Sequence, residues 1–150
     1  MLFRSDYDGA EPTASSISVM NLLVLSHLVE NQQWNHQIER TLRLFAARLE
    51  QVGRAVPMMA SALSTRINGL QQIVIVGESG TGELTRAVAG GYRPFAFTLT
   101  LSREQQRALA PIVPLIAAMK PVDGRAAAYV CRNFSCRAPV TSVADLNSEL

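Results

Sequence analysis

The stretch Ile73-Val74-Ile75-Val76-Gly77-Glu78-Ser79-Gly80-Thr81-Gly82-Glu83-Leu84 divides this chain. Four β-branched residues ending on a glycine read as a buried strand. The glycines that follow lead into a helix expected from about Glu83 to Ala89, which Gly90-Gly91 stops. Strand, glycine-rich turn and helix are the setting of a phosphate-binding loop. That loop needs Gly-Lys-Ser/Thr, and here Glu83 and Leu84 hold the places of the lysine and the hydroxyl. A carboxylate there sets like charges together, at a cost of about 4 kcal/mol for a separation of roughly 4 Å at an effective dielectric of about 20. The segment therefore reads as a tight structural turn. Weak anion or nucleotide binding at Gly77–Gly82 through main-chain amides is the lesser alternative.

Upstream of this boundary the pattern is helical. Residues 1–12 read as an irregular leading segment, with Asp8-Gly9 suited to a turn. Thr13, Ser15 and Ser16 are candidate N-caps for a helix running to about Glu30. Ile17, Met20, Leu22, Leu23, Val24, Leu25 and Leu28 leave that helix little polar face, so burial on most sides is expected. A second helix spans about Trp34–Gln51. Its Ile38, Leu42, Phe45 and Leu49 form one stripe, and Gly53 is its expected stop. A third runs from Pro57 to about Ile67. The first two, joined by a short link, make an αα-hairpin.

Downstream, strand and helix alternate. Phe95–Leu101 reads as a second strand, and Ser102-Arg103-Glu104-Gln105 as a capping box opening a helix that Pro111 and Pro114 interrupt. Asp123-Gly124 marks a turn, Ala126–Val130 a third strand, and Ser142–Leu150 a short capped helix. The fold class is mixed α and β: a helical hairpin segment over 1–70, then a small α/β layer over 71–150.

Composition supports one compact chain. Of 150 residues, 48% are hydrophobic and 17% charged, and the net charge is +2. That balance argues against nucleic acid as a partner. No run approaches the ~18 apolar residues of a membrane helix. Acidic residues in Met1–Asp8 stand where a secretory signal would be apolar, so a cytoplasmic location is expected. The two cysteines, Cys131 and Cys136, make no disulfide framework. With His27 and His36 they are the only Cys and His side chains, and the spacing matches no zinc site. Nor is it the Cys-x-x-Cys of a redox helix. Reduced thiols packed as small apolar side chains are expected, with a transient disulfide as the alternative. No metal or cofactor is implied. His27 and His36 read as ordinary helix histidines.

Two strings carry a resemblance. Near the start stands Asp8-Gly9-Ala10-Glu11-Pro12-Thr13, and near the end Tyr129-Val130-Cys131-Arg132-Asn133-Phe134-Ser135-Cys136-Arg137-Ala138-Pro139-Val140-Thr141. In this order and separation they resemble the C-terminal portion of the YyaL-like proteins, relatives of the spermatogenesis-associated thioredoxin-like protein. The signature positions are Asp8, Gly9, Glu11, Pro12, Cys131, Asn133, Phe134, Cys136 and Pro139. The family joins a thioredoxin-like domain to an α/α toroid similar to six-hairpin glycosidases. The resemblance implies a C-terminal fragment holding one hairpin of an incomplete toroid, related to carbohydrate or thiol-redox chemistry and inactive by itself. Asp8 and Glu11 would then rim the toroid cavity as acid/base candidates facing a sugar-like ligand; helix capping by Glu11 is the plainer reading. The implied partner is the missing N-terminal part or a second copy. Helices deprived of neighbours should expose apolar surface. A stand-alone interaction module using that surface is the alternative.

Overall fold

The computed structural model describes residues 7–150. The reading of residues 1–6 as part of an irregular leading segment lies outside that range. The chain divides into two compact units, Met1–Asn68 and Gly69–Leu150.

The first unit holds α1 (Ala14–Ser26), α2 (Gln32–Val52), a single 3-10 turn (Gly53–Ala55) and α3 (Pro57–Asn68). Of the three expected caps, Thr13 does the work: its hydroxyl accepts from the Ser16 N–H at 3.0 Å. Asn31 caps α2 by accepting from Trp34 N–H at 3.2 Å. α1 packs on both α2 and α3. Ile38 and Leu42 are buried, and Phe45 and Leu49 half-buried, so the expected stripe of α2 faces inward. Val19, Leu23, Val56, Met59 and Ala62 of the same unit are buried as well.

Two expectations for α1 are corrected. It stops at Ser26 rather than near Glu30. It is also buried on one face rather than on most sides. Ser16, Val19, Leu23 and Ser26 are covered, while Ile17 and Leu25 remain 38% and 41% exposed. The apolar composition outruns what three helices can cover.

The second unit is built on one four-stranded sheet in the order β2-β1-β3-β4, from β1 (Gln71–Val76), β2 (Ala96–Leu101), β3 (Ala127–Arg132) and β4 (Ser135–Cys136). β1 and β2 are parallel and joined through α4 (Thr81–Ala89), the usual requirement for a parallel pair. β3 runs antiparallel to β1, with Ile73 opposite Val130. Every residue of β1 is buried, as its apolar run requires. One core gathers Ile73 and Ile75 of β1, Leu84 and Val88 of α4, Ala128 and Val130 of β3, and Leu146 of α7 (Val143–Glu149). The predicted capping box is present: Ser102 accepts from Gln105 N–H, and the Gln105 side chain accepts from Ser102 N–H. It opens α5 (Arg103–Leu109); past Pro111 comes a single turn, α6 (Pro114–Ala117), which Pro114 begins. Helix α4 begins at Thr81, two residues before the expected Glu83, and β3 extends to Arg132.

The cysteine expectation is overturned. Cys131 and Cys136 are joined by a disulfide. They meet because β3 turns straight back into β4, which places Cys131 directly opposite Cys136.

Candidate functional site

Three places drew attention in the sequence: the loop bearing Asp8 and Glu11, the glycine turn and the cysteine hairpin. Their geometries differ in kind.

Asp8 is buried although it is a carboxylate. Its Oδ1 accepts from Thr13 N–H at 2.8 Å. Its Oδ2 accepts from Met58 and Met59 N–H at 2.9 and 3.1 Å. Met58 and Met59 lie in the first turn of α3, where N–H groups have no partner inside the helix. One carboxylate thus joins the cap residue of α1 to the start of α3. The Asp8 N–H in turn donates to Ala55 O at 3.0 Å. Burial pushes the Asp8 carboxyl up, but the hydrogen bonds from Thr13, Ser16, Met59 and Met58 outweigh it and hold the group below its ordinary value. These donors occupy both oxygens, so in this geometry Asp8 acts as a tie between helix ends.

Glu11 is exposed, and its main-chain carbonyl closes the loop by accepting from Gly9 N–H at 3.1 Å. Beside this loop, Tyr7, Ser15 and the α2 residues Gln37, Arg40, Thr41 and Arg48 line an open groove of about 850 Å³. The Arg48 guanidinium lies 4.8 Å from the centre of the Tyr7 ring, a cation–π distance.

The glycine turn is used internally. A Cβ on Gly77 would stand 2.9 Å from both Cα and Cβ of Ala126, so only glycine allows this approach. Gly80 takes the left-handed conformation that glycine favours, with φ 78°. The Glu78 carboxylate accepts from Arg103 N–H at 2.8 Å, at the start of α5. Leu84, at the place of a magnesium-binding hydroxyl, is buried in the core. The turn therefore presents carboxylates rather than a cation.

At the cysteine hairpin, Asn133 and Phe134 form the turn, both left-handed, with φ 48° and 61°. Two successive residues of this kind make the tight turn that matches strand twist. Cys131 is wholly buried and Cys136 half-buried, while Phe134 is 42% exposed. The sequence reading places this pairing second, as a transient disulfide, behind reduced thiols; the two-residue hairpin is the feature that would have put it first. His27 Nδ1 lies 2.8 Å from Leu23 O, and His36 is exposed. Among the described residues no group of three His, Cys, Asp or Glu side chains could hold a metal ion. Among them, too, no helix is long and apolar enough to cross a membrane.

The chain is similar to spermatogenesis-associated protein 20. It is 32% identical to the protein from Homo sapiens, over an alignment of 150 residues that takes in 98% of this chain. The protein from Rattus norvegicus is likewise 32% identical over 98% of the chain. An uncharacterized protein of Caenorhabditis elegans is 32% identical over 143 residues, 94% of the chain. In each case the matched region is 19% of the relative, so this chain spans about a fifth of the length of these proteins. No protein-family profile and no solved structure matches it.

Proposed function

We propose that this chain works as one part of a larger protein related to spermatogenesis-associated protein 20, and that its helical unit is completed by helices from the rest of that protein. The observation that carries this reading is the uncovered side of α1. Ile17 and Leu25 fall within one helical stripe and stand exposed on a helix apolar nearly all round. Leu44 on α2 is 74% exposed, and Leu42, Ala46, Leu49 and Leu63 border an open groove of about 470 Å³. The relatives supply the chain that would cover such surfaces, being about five times as long.

The finer reading rests on the two motif strings. It makes the whole protein an α/α toroid with a thioredoxin-like domain, of carbohydrate or thiol-redox chemistry, acting in the cytoplasm. Asp8 would then position the rim of the cavity by joining α1 to α3, and the exposed Glu11 would be the side chain free to meet a sugar-like ligand. In this reading the chain by itself has no activity.

The test is the flanking DNA together with the behaviour of the isolated chain. An open frame continuing past this segment and encoding further helical hairpins is expected. The isolated chain should bind an apolar dye and associate at micromolar concentration. Replacing Ile17 and Leu25 by glutamine should abolish both effects. A frame closed on both sides, with a monomer that binds no dye, would overturn the proposal. A closed frame with a defined dimer that the same replacements dissolve would favour a self-associating interaction module instead.

A further inference from the structure

The disulfide sits where a covalent bond is least needed. The sequence separation of its cysteines is 5, which makes the closed loop very short, and by loop entropy a short ring adds less stability than a long one. Other bonds hold the same strands together. Ser135 pairs with Arg132, Arg137 N–H donates to Val130 O at 3.1 Å, and Ala128 and Val140 exchange two bonds at 2.8 and 3.0 Å. The turn at Asn133-Phe134 is already shaped for the hairpin. Opening the bond would leave the two sulfurs facing each other.

Access to the two sulfurs is unequal. Cys131 is wholly buried in β3, the strand paired with β1, whereas Cys136 is half-buried on β4, the last strand of the sheet. Arg132 and Arg137 each directly follow one of the cysteines in sequence and are both exposed. Cationic neighbours favour a thiolate. The Arg137 guanidinium is also paired with Glu149.

We propose that Cys131–Cys136 is a thiol–disulfide exchange site that takes a dithiol, with Cys136 as the sulfur attacked. A thiolate of the dithiol forms a bond to Cys136 Sγ, and the Cys131–Cys136 bond breaks. Cys131 leaves as a thiolate and takes up a proton. The second thiol of the reagent loses its proton and attacks the reagent's own sulfur in the mixed disulfide. Cys136 leaves and is protonated. Two electrons pass from the dithiol, which becomes a disulfide, to the cystine, which becomes two thiols. Because the hairpin holds the thiols opposed, the reverse reaction restores the bond without refolding.

The test uses the air-oxidised chain at pH 7 without denaturant. Dithiothreitol serves as the small dithiol and a Cys-x-x-Cys oxidoreductase as the protein dithiol. The site is expected to be reduced within minutes at millimolar dithiothreitol and reoxidised on its removal, with the far-ultraviolet circular dichroism unchanged. A rate raised by catalytic amounts of the oxidoreductase would identify a protein as the natural source; an unchanged rate would identify a small dithiol. Brief exposure to glutathione, acid quenching and tryptic cleavage at Arg132 separates the two cysteines. The adduct should lie on Cys136 in at least about tenfold excess over Cys131. A bond that resists dithiothreitol until the protein is unfolded would overturn the proposal, as would reduction that melts the sheet. So would cysteines that remain thiols in air, or an adduct equally divided between the two.

Discussion

Replacing Asp8 tests the idea that one carboxylate ties two helix starts together. Asp8→Ala leaves three main-chain N–H groups without their acceptor, on Thr13, Met58 and Met59. Those of Thr13 and Met59 are in buried bonds, and each orphaned buried donor costs about 1–3 kcal/mol. The Met58 N–H is partly buried, so water recovers part of its loss. The sum is about 3–5 kcal/mol, a large share of what a small unit has in all. Asp8→Asn keeps one acceptor oxygen and loses the charge that favours helix N-termini, for an expected cost of about 1–2 kcal/mol. For a unit of this size that is a fall in Tm of about 5–15 °C. Trp34 is the only tryptophan and lies in α2, so its emission follows the helical unit by itself. The pH dependence supplies a second readout. The Asp8 pKa is lowered on folding from its ordinary 3.8, so its contribution is fully present above that value and is lost as pH falls through the lower folded value. The wild-type chain should therefore lose part of its stability below about pH 3.8, and Asp8→Asn should lack that part of the acid limb. If Asp8→Ala unfolds within about 0.5 kcal/mol of wild type, the spread of ordinary surface substitutions, the tie contributes nothing and the argument fails.

Four further outcomes follow from other sites. Gly77→Ala forces a methyl group against the Ala126 backbone and should cost about 1–3 kcal/mol in urea unfolding, whereas Gly53→Ala, with nothing within 4 Å, should be neutral or slightly stabilising. Phe134→Gly removes a left-handed aromatic residue from the hairpin turn and should stabilise the second unit by about 0.5–1 kcal/mol, read as slower amide exchange in β3. Ser102→Ala removes the acceptor for Gln105 N–H and should cost about 1 kcal/mol, read by circular dichroism on thermal melting.

Much of the fold was legible because its signals are local. The stripe of α2, the buried run of β1 and the box at Ser102 each depend on residues within a few positions of one another. So do the boundaries at Thr13, Gly53 and Gly90. The burial of α1 was misread for a different reason. Composition states what a helix can bury, whereas coverage depends on how many neighbours it has, and three helices supply one covered face. The hairpin escaped because its turn rests on Asn133-Phe134. Asparagine is at home in a left-handed turn and phenylalanine is not, so propensity gave no sign that Cys131 and Cys136 would face each other.

Asp8 shows the same limit at the candidate site. Its sequence neighbours, Gly9 and Glu11, mark a turn near a helix start and cannot distinguish a capping carboxylate from a catalytic one. The distinction lies in Met58 and Met59, which are 50 and 51 residues away. Once their N–H groups are in place, the two carboxylates of the motif separate in role. Asp8 is buried and held ionised by main-chain donors, poorly suited to exchanging a proton near neutral pH. Glu11 remains exposed, three residues further along the same loop. Asp8 thereby fixes the backbone of the loop from which the exposed Glu11 projects. The two substitutions then make opposite demands. Asp8→Asn should lower stability, whereas Glu11→Gln, at an exposed side chain, should leave it unchanged within about 0.5 kcal/mol.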